Sequence, residues 1–386
     1  MHQQRLATMM EATRLTREGR LAEAAALLQR EPADPRAQHR SAKQPVHPLR
    51  PEHLRQRAGA FLGRLGGSTG LADLLSRLPH DGRLAPDSYA PVEPEPQLPG
   101  RWLGGSYANS AGKREYRLYV PSGYNGQPVP LIAMLHGGTQ TADDFAAGTR
   151  MNELAERHTF LVVYPEQSVT ANPMRYWNWF QPADQHRGRG EPSLIAGLTG
   201  QIIAEYAVET ARVYVAGFSA GAAMAAVMAG CYPDVYAAVG VHSGLAHGVA
   251  TDVASAFNAM KHGAPAVRRR DAGSVPLIVF HGDSDSTVDH VNAECLIEAR
   301  VRPSGRQSAR FRTLTTTEQA PAGRRFTRTI FTELEGIPIV EQWTIHEGGH
   351  AWAGGSPRGS YTDPLGPDAS AELVRFFQHH ASGGCR

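Results

Sequence analysis

Five short apolar runs constrain this chain more than any other feature: PLIAMLHGG, TFLVVYPE, RVYVAGFSAG, AAVGVHSG and PLIVFHGDSD, each ending in Gly, Pro or polar residues. Unbroken apolar runs of this length suit strands buried on both faces. Stretches with helical spacing separate them, including LIAGLTGQIIAEYAVET before RVYVA. That alternation predicts an α/β chain with a mostly parallel sheet covered by helices on both faces. REYRLYVP reads as an early antiparallel strand, and RFTRTIFTEL with PIVEQWTIHE as a late hairpin around Glu335 and Gly336. ASAELVRFFQHH then closes the pattern as an amphipathic helix.

The first hundred residues follow different rules. LATMMEATRLTREGRLAEAAALLQR has apolar positions at helical spacing, but no second copy follows to bury its apolar face. Residues 31–58 are polar, basic and punctuated by proline, as in a linker. APDSYAPVEPEPQLPG is too proline-dense for a packed element. The expected division is therefore a helical and proline-rich N-terminal extension over 1–100 and a catalytic domain over 101–386. With 41% hydrophobic and 20% charged residues, the 386-residue chain reads as a globular protein with a full core. A net charge of +2 gives no reason to expect nucleic acid as a partner. Cys231, Cys295 and Cys385 lack CxxC spacing, so neither a disulfide framework nor a zinc site is expected. No window reaches the ~18 apolar residues of a membrane span. The N-terminus has no apolar stretch of signal-peptide length, so a cytoplasmic location is the expectation.

The chemistry centres on Gly217-Phe218-Ser219-Ala220-Gly221, between the strand RVYVA and the small-residue helix AAMAAVMAG. A serine on a tight strand-to-helix turn stands exposed above a sheet, and flanking glycines relieve the crowding. Such a serine needs a base, and the base an orienting carboxylate, in the order Ser, Asp or Glu, His. Asp285 is the expected acid, four residues after His281 in HGDSD, with Asp283 as a turn-former. Asp283, Asp285, Thr287, Asp289 and Glu294 also fall at calcium-loop spacing, but Val288 stands where that loop needs glycine. No metal is expected. His350, released into a loop by Gly348 and Gly349, is the expected base. His346 continues the strand alternation and reads as structural, while His379 and His380 read as solvated charge at a helix end. Oxyanion donors are expected at the N–H of Ala220 and of Gly138, in the loop Leu135-His136-Gly137-Gly138-Thr139. His136 reads as a hydrogen bonder that fixes this loop. Trp177, Trp179, Trp352 and Tyr361 fall in loops that could wall a cleft beside these residues.

From about residue 100 to 382 the chain resembles the catalytic domain of poly(3-hydroxybutyrate) depolymerase family esterases. LHGGTQTADDFA, NWFQPADQHRGRGEPSLIAGLT, VYVAGFSAGAAM, HGDSDSTV and GGHAWAGGSPRGSYTDPLGPDAS carry the resemblance. It implies the α/β-hydrolase fold, ester hydrolysis without cofactor or metal, and a triad on Ser219, Asp285 and His350. It also implies a substrate class: poly- or oligo-3-hydroxyalkanoates, or, as in related esterases, feruloyl and acetyl esters of plant polysaccharides. The resemblance is to intracellular-type members, whose polymer is a storage granule, and it leaves two readings of the N-terminal helix and basic segment: a contact to the granule or its coat protein, or a solvated, loosely tethered extension. The rival readings are a general short-chain carboxylesterase and a non-catalytic granule-associated protein on the same fold.

Overall fold

The computed structural model describes residues 98–264, 275–301, 311–333 and 336–382. Residues 1–97 of the expected extension lie outside them. The sheet opens with β1 (Arg101–Asn109), β2 (Gly112–Val120), β3 (Val129–Leu135), β4 (Leu161–Glu166) and β5 (Val208–Phe218). It continues through β6 (Ala238–His242), β7 (Leu277–Gly282), β8 (Phe311–Gln319), β9 (Arg325–Glu333) and β10 (Pro338–Ile345). These strands form one sheet in the order β1-β2-β4-β3-β5-β6-β7-β10-β9-β8. β3 to β7 and β10 run parallel, and each of the five apolar runs supplies one strand of the stretch β4-β3-β5-β6-β7. β2 pairs antiparallel with β4, and β9 with β10. β11 (Trp352–Ala353) and β12 (Thr362–Asp363) form a separate small ladder.

The period of two along each strand sends alternate side chains into two cores. Leu131, Ala133, Val213, Val215, Val239 and Val279 face one core. It is closed by α3 (Gly190–Glu205), α4 (Ala220–Cys231), α5 (Val253–His262) and α6 (Val291–Val301). Ile132, Met134, Val162, Tyr214, Ile278 and Phe280 face the other. There α1 (Ala142–Thr149), α2 (Met151–His158) and α7 (Ala369–Gln378) pack. α7 buries Leu373, Val374, Phe376 and Phe377, and Phe377 stacks on Tyr214 with ring centroids 4.6 Å apart.

Three expectations change. The helix before RVYVA ends at Glu205, and Val208, Glu209 and Thr210 open β5 instead, because Val129 and Val208 pair across the ladder. β1 and β8 were not anticipated; both are edge strands, and their sparse burial erases the apolar run that marks an interior strand. His380 is buried rather than solvated: its ring nitrogens face Phe376 O at 2.7 Å and Pro338 O at 2.8 Å.

Candidate active site

The carboxyl ends of parallel strands leave side chains on their outgoing turns beside one another. Ser219 sits on the turn from β5 into α4 with φ 54° and ψ −119°, a conformation that strains a residue bearing a Cβ. Its backbone N–H is fixed by His242 O at 2.9 Å, at the end of the neighbouring β6. Glycine is required on both sides. A Cβ at Gly217 would lie 2.4 Å from Gly221 O, and one at Gly221 would lie 2.1 Å from Leu135 O. That second contact presses the turn against the loop leaving β3.

His350 lies between the other two residues expected on sequence grounds. Its Nε2 is 2.9 Å from Ser219 Oγ and its Nδ1 is 2.7 Å from Asp285 Oδ2. A carboxylate only accepts, so Nδ1 carries the hydrogen and Nε2 is left to receive the serine proton. Asp285 is buried, which pushes its carboxyl up. The charge and hydrogen bond of His350, the charge of His281 and the Val288 N–H outweigh burial and leave it below the ordinary aspartate value. Its Oδ1 accepts the N–H groups of Thr287 and Val288, both at 2.9 Å. It therefore stays ionised and fixed in orientation.

Two buried histidines brace this triad. Burial lowers the His281 imidazole to about 4, and neutral His281 donates Nε2–H to Val288 O at 2.8 Å, beneath Asp285. Burial holds His242 well below its usual value, with His281 and His350 adding in the same sense. Its Nε2 accepts the Ala353 N–H at 3.0 Å, anchoring the segment that follows His350. Neither was singled out as a support; only the histidine of HGDSD gave a signal.

Gly138 and Ala220, the expected oxyanion donors, lie on the turns after β3 and β5, which are neighbours in the sheet. His136 behind them accepts the Gln167 N–H through Nε2 at 3.0 Å and donates Nδ1–H to Gly137 O at 2.7 Å. Burial brings it down to about 4, which keeps that tautomer neutral. Gly138 is covered by Tyr176, whose ring would lie 2.0 Å from a Cβ there. Burial, and then Tyr361 nearby, push the Tyr176 phenol up to about 12, so it stays neutral.

The cleft expectation is corrected for three of four aromatics. Trp177, Trp179 and Trp352 are buried and pack inside the fold instead of walling a cleft. Trp177 donates Nε1–H to His136 O at 3.1 Å, and Trp352 donates to Ser370 Oγ at 3.1 Å while stacking on His242. Trp179 meets Phe180 edge-on. Tyr361 remains partly exposed, at φ 53°, with its hydroxyl 3.2 Å from Thr139 Oγ1 and its ring 6.3 Å from that of Phe218. Tyr176 joins it, a residue that sequence spacing gave no reason to single out.

The acids at calcium-loop spacing diverge. Asp283 Oδ2 pairs with His346 Nδ1 at 2.9 Å, Asp285 serves His350, and Asp289 Oδ1 caps the Val291 N–H at 2.9 Å. Among the described residues, no three His, Cys, Asp or Glu side chains converge on a metal position, and no helix is long and apolar enough to cross a membrane.

An acetyl xylan esterase from Aspergillus awamori superposes with a TM-score of 0.53 at 19% identity, covering 69% of this chain and 94% of that one. That likeness identifies the fold as the α/β-hydrolase fold. Poly(3-hydroxyalkanoate) depolymerase C of Paucimonas lemoignei is 34% identical over 257 residues, 64% of this chain and 60% of that protein. Feruloyl esterase B of Neurospora crassa is 37% identical over 115 residues, 30% of this chain and 38% of its own length. The chain thus spans less than two thirds of the length of either relative. Residues 114–319, more than half the chain and including both Ser219 and Asp285, match the family model described as esterase PHB depolymerase, and the chain belongs to that family.

Proposed function

We propose that the protein is a serine esterase that hydrolyses ester bonds of poly- or oligo-3-hydroxyalkanoates. The observation that carries the reading is His350 bridging Ser219 Oγ and Asp285 Oδ2 at 2.9 and 2.7 Å. In the reaction, His350 Nε2 takes the hydroxyl proton as Ser219 Oγ attacks the ester carbonyl. The Ala220 and Gly138 N–H groups hold the oxyanion; losing one such donor costs about 2.7–4 kcal/mol of barrier. His350 then protonates the leaving alkoxide, giving the free alcohol and an acyl-Ser219 ester. Water, deprotonated by His350, releases the acid and restores the serine. Asp285 holds the imidazole tautomer throughout.

Family membership and the depolymerase relative support the polyester, and the weakly polar pair Tyr176 and Tyr361 beside Gly138 suits an aliphatic ester chain. The feruloyl esterase relative supports aryl or acetyl esters of polysaccharides as the second reading. Purified protein should cleave a p-nitrophenyl short-chain ester, and Ser219→Ala should lose that activity by a factor on the order of 10⁴ or more. Turnover of amorphous polyhydroxybutyrate should exceed that of methyl ferulate and acetylated xylan. A reversed ranking would overturn the polyester, and an unlabelled Ser219 after a fluorophosphonate probe would favour a non-catalytic protein.

A further inference from the structure

The oxyanion loop has no rigid element of its own; it leaves β3 at Leu135 and reaches α1 only at Ala142. Gln140 holds one side of it, accepting the Gly137 N–H and donating to Asp144 and Ser360, and its other fixed points lie on the segment 167–178. Thr139 N–H donates to Met174 O at 2.8 Å, Trp177 Nε1–H donates to His136 O, and the Tyr176 ring lies on Gly138. This segment has no regular secondary structure, so something must hold it.

Arg175 ties it to Glu166 at the end of β4, and its buried anchor is the carboxylate of Glu191, in the first turn of α3. Oε2 accepts the backbone N–H of Asn178 at 2.8 Å, and Oε1 accepts Asn178 Nδ2–H at 2.8 Å. Gln167 Nε2–H donates to Oε1 as well, and also to Tyr176 O at 2.9 Å, while Gln167 N–H is the bond that fixes His136. Arg114 on β2 balances the charge at 3.0 Å, with both side chains almost fully buried. A buried, ion-paired carboxylate with this many donors is strongly directional. Every one of its neutral partners lies on the segment that touches the oxyanion loop.

We propose that Glu191 is a positioning residue for the oxyanion hole: it sets, through Gln167 and Asn178, where the Gly138 N–H points. This inference rests on the ester-hydrolase reading above. An uncharged amide at 191 cannot accept all these donors, so the loop should relax. A displacement of about 1 Å is enough to cost on the order of 10²-fold in rate. The loss should fall on the transition state, where the oxyanion forms, and not on substrate binding.

The test measures Glu191→Gln on p-nitrophenyl acetate, with active sites counted by fluorophosphonate titration. The expected result is a fall in kcat of on the order of 10²-fold with KM changed less than about twofold. The inhibition constant of an aryl trifluoromethyl ketone should rise by a similar factor. That ketone adds the Ser219 oxygen at its carbonyl carbon, sends the proton to His350 and places an oxyanion in the hole. A purely structural role would lower the titrated fraction without moving kcat per site or that constant, and would overturn the proposal. Glu191→Gln also leaves Arg114 without its carboxylate; if it fails to fold, Gln167→Met decides, because the ion pair survives and only the bonds of the Gln167 amide, to Glu191, Tyr176 O and the Ser168 N–H, are cut. It should lower kcat per site about tenfold in the same pattern, and an unchanged kcat overturns the proposal. If wild-type protein turns over no ester, the hydrolase reading falls and this role with it. Wild-type turnover matched by the variant removes only the role.

Discussion

Burial pushes the Asp184 carboxyl up to about 7, and the Glu191 charge adds in the same direction against the Glu191 N–H and Arg114. The sign follows from linkage. An unfolded aspartate titrates near 3.9, so between about pH 4 and 7 the folded chain holds a proton that the unfolded chain has lost. Asp184 therefore costs stability progressively as pH rises across that window, and the cost is complete above it. Asp184→Asn keeps an oxygen to accept the Glu191 N–H, now 2.7 Å from Asp184 Oδ1, and removes the titration. Its Tm should match wild type near pH 4.5, exceed it increasingly up to about pH 7, and then run parallel. Melting curves of both proteins across pH 4.5–8.5 check this; a constant offset would show that Asp184 does not titrate in the window. The same substitution leaves the Ser219, His350 and Asp285 contacts untouched, so ester turnover per site should hold.

At the level of elements, the turns after β7 and β10 carry Asp285 and His350, and one clamp joins them. Asp283 Oδ2 meets His346 Nδ1, Asp283 Oδ1 accepts the Glu347 N–H at 2.7 Å, and His346 Nε2 lies 2.8 Å from Thr327 Oγ1 on β9. Burial acts to raise the Asp283 carboxyl, but the bonds from His346, Glu347 and Ser284 outweigh it and leave it below the ordinary value. Its contribution to stability is therefore full above about pH 4 and lost as pH falls through the depressed folded value. Asp283→Asn should lower stability at pH 7 by about 1 kcal/mol, given the partial exposure of the pair. Kcat should fall several-fold as His350 loosens, and the stability gap should close in acid. Denaturant titrations at pH 7 and pH 3 test it; an equal gap at both would place the bond elsewhere. The clamp also illustrates what sequence can and cannot reveal. Interior strands such as PLIVFHG are legible because both faces are apolar, and the serine turn because only glycine tolerates the contacts at positions 217 and 221. Asp283 and His346 read as a turn-former and a strand residue, since pairing across 63 positions leaves no local period. The same reason hides Glu191, whose partners lie 13, 24 and 77 positions away. Trp177 and Trp352 mislead because a loop tryptophan and a buried one have the same letter, and the hydrogen-bond acceptor that buries each comes from a distant segment.

Across the whole chain, 39 basic and 37 acidic residues leave a net charge of +2, so little long-range field is available to draw a substrate in. A polyester offers no charge in return. If such a polymer is the substrate, attraction to it must come from apolar contact, which sodium chloride leaves nearly unchanged and sulfate strengthens. The basic, proline-punctuated segment 31–58, by contrast, would favour an anionic granule coat, and that attraction is screened over a Debye length of about 10 Å at 0.1 M salt. The two contacts make opposite predictions for one measurement. Full-length Ser219→Ala protein, which binds without consuming the polymer, should co-sediment with coated polyhydroxybutyrate granules equally from about 20 to about 500 mM sodium chloride. Ammonium sulfate should increase the bound fraction. A bound fraction that collapses as sodium chloride rises would mean that the basic segment, and not apolar contact, holds the protein on the granule.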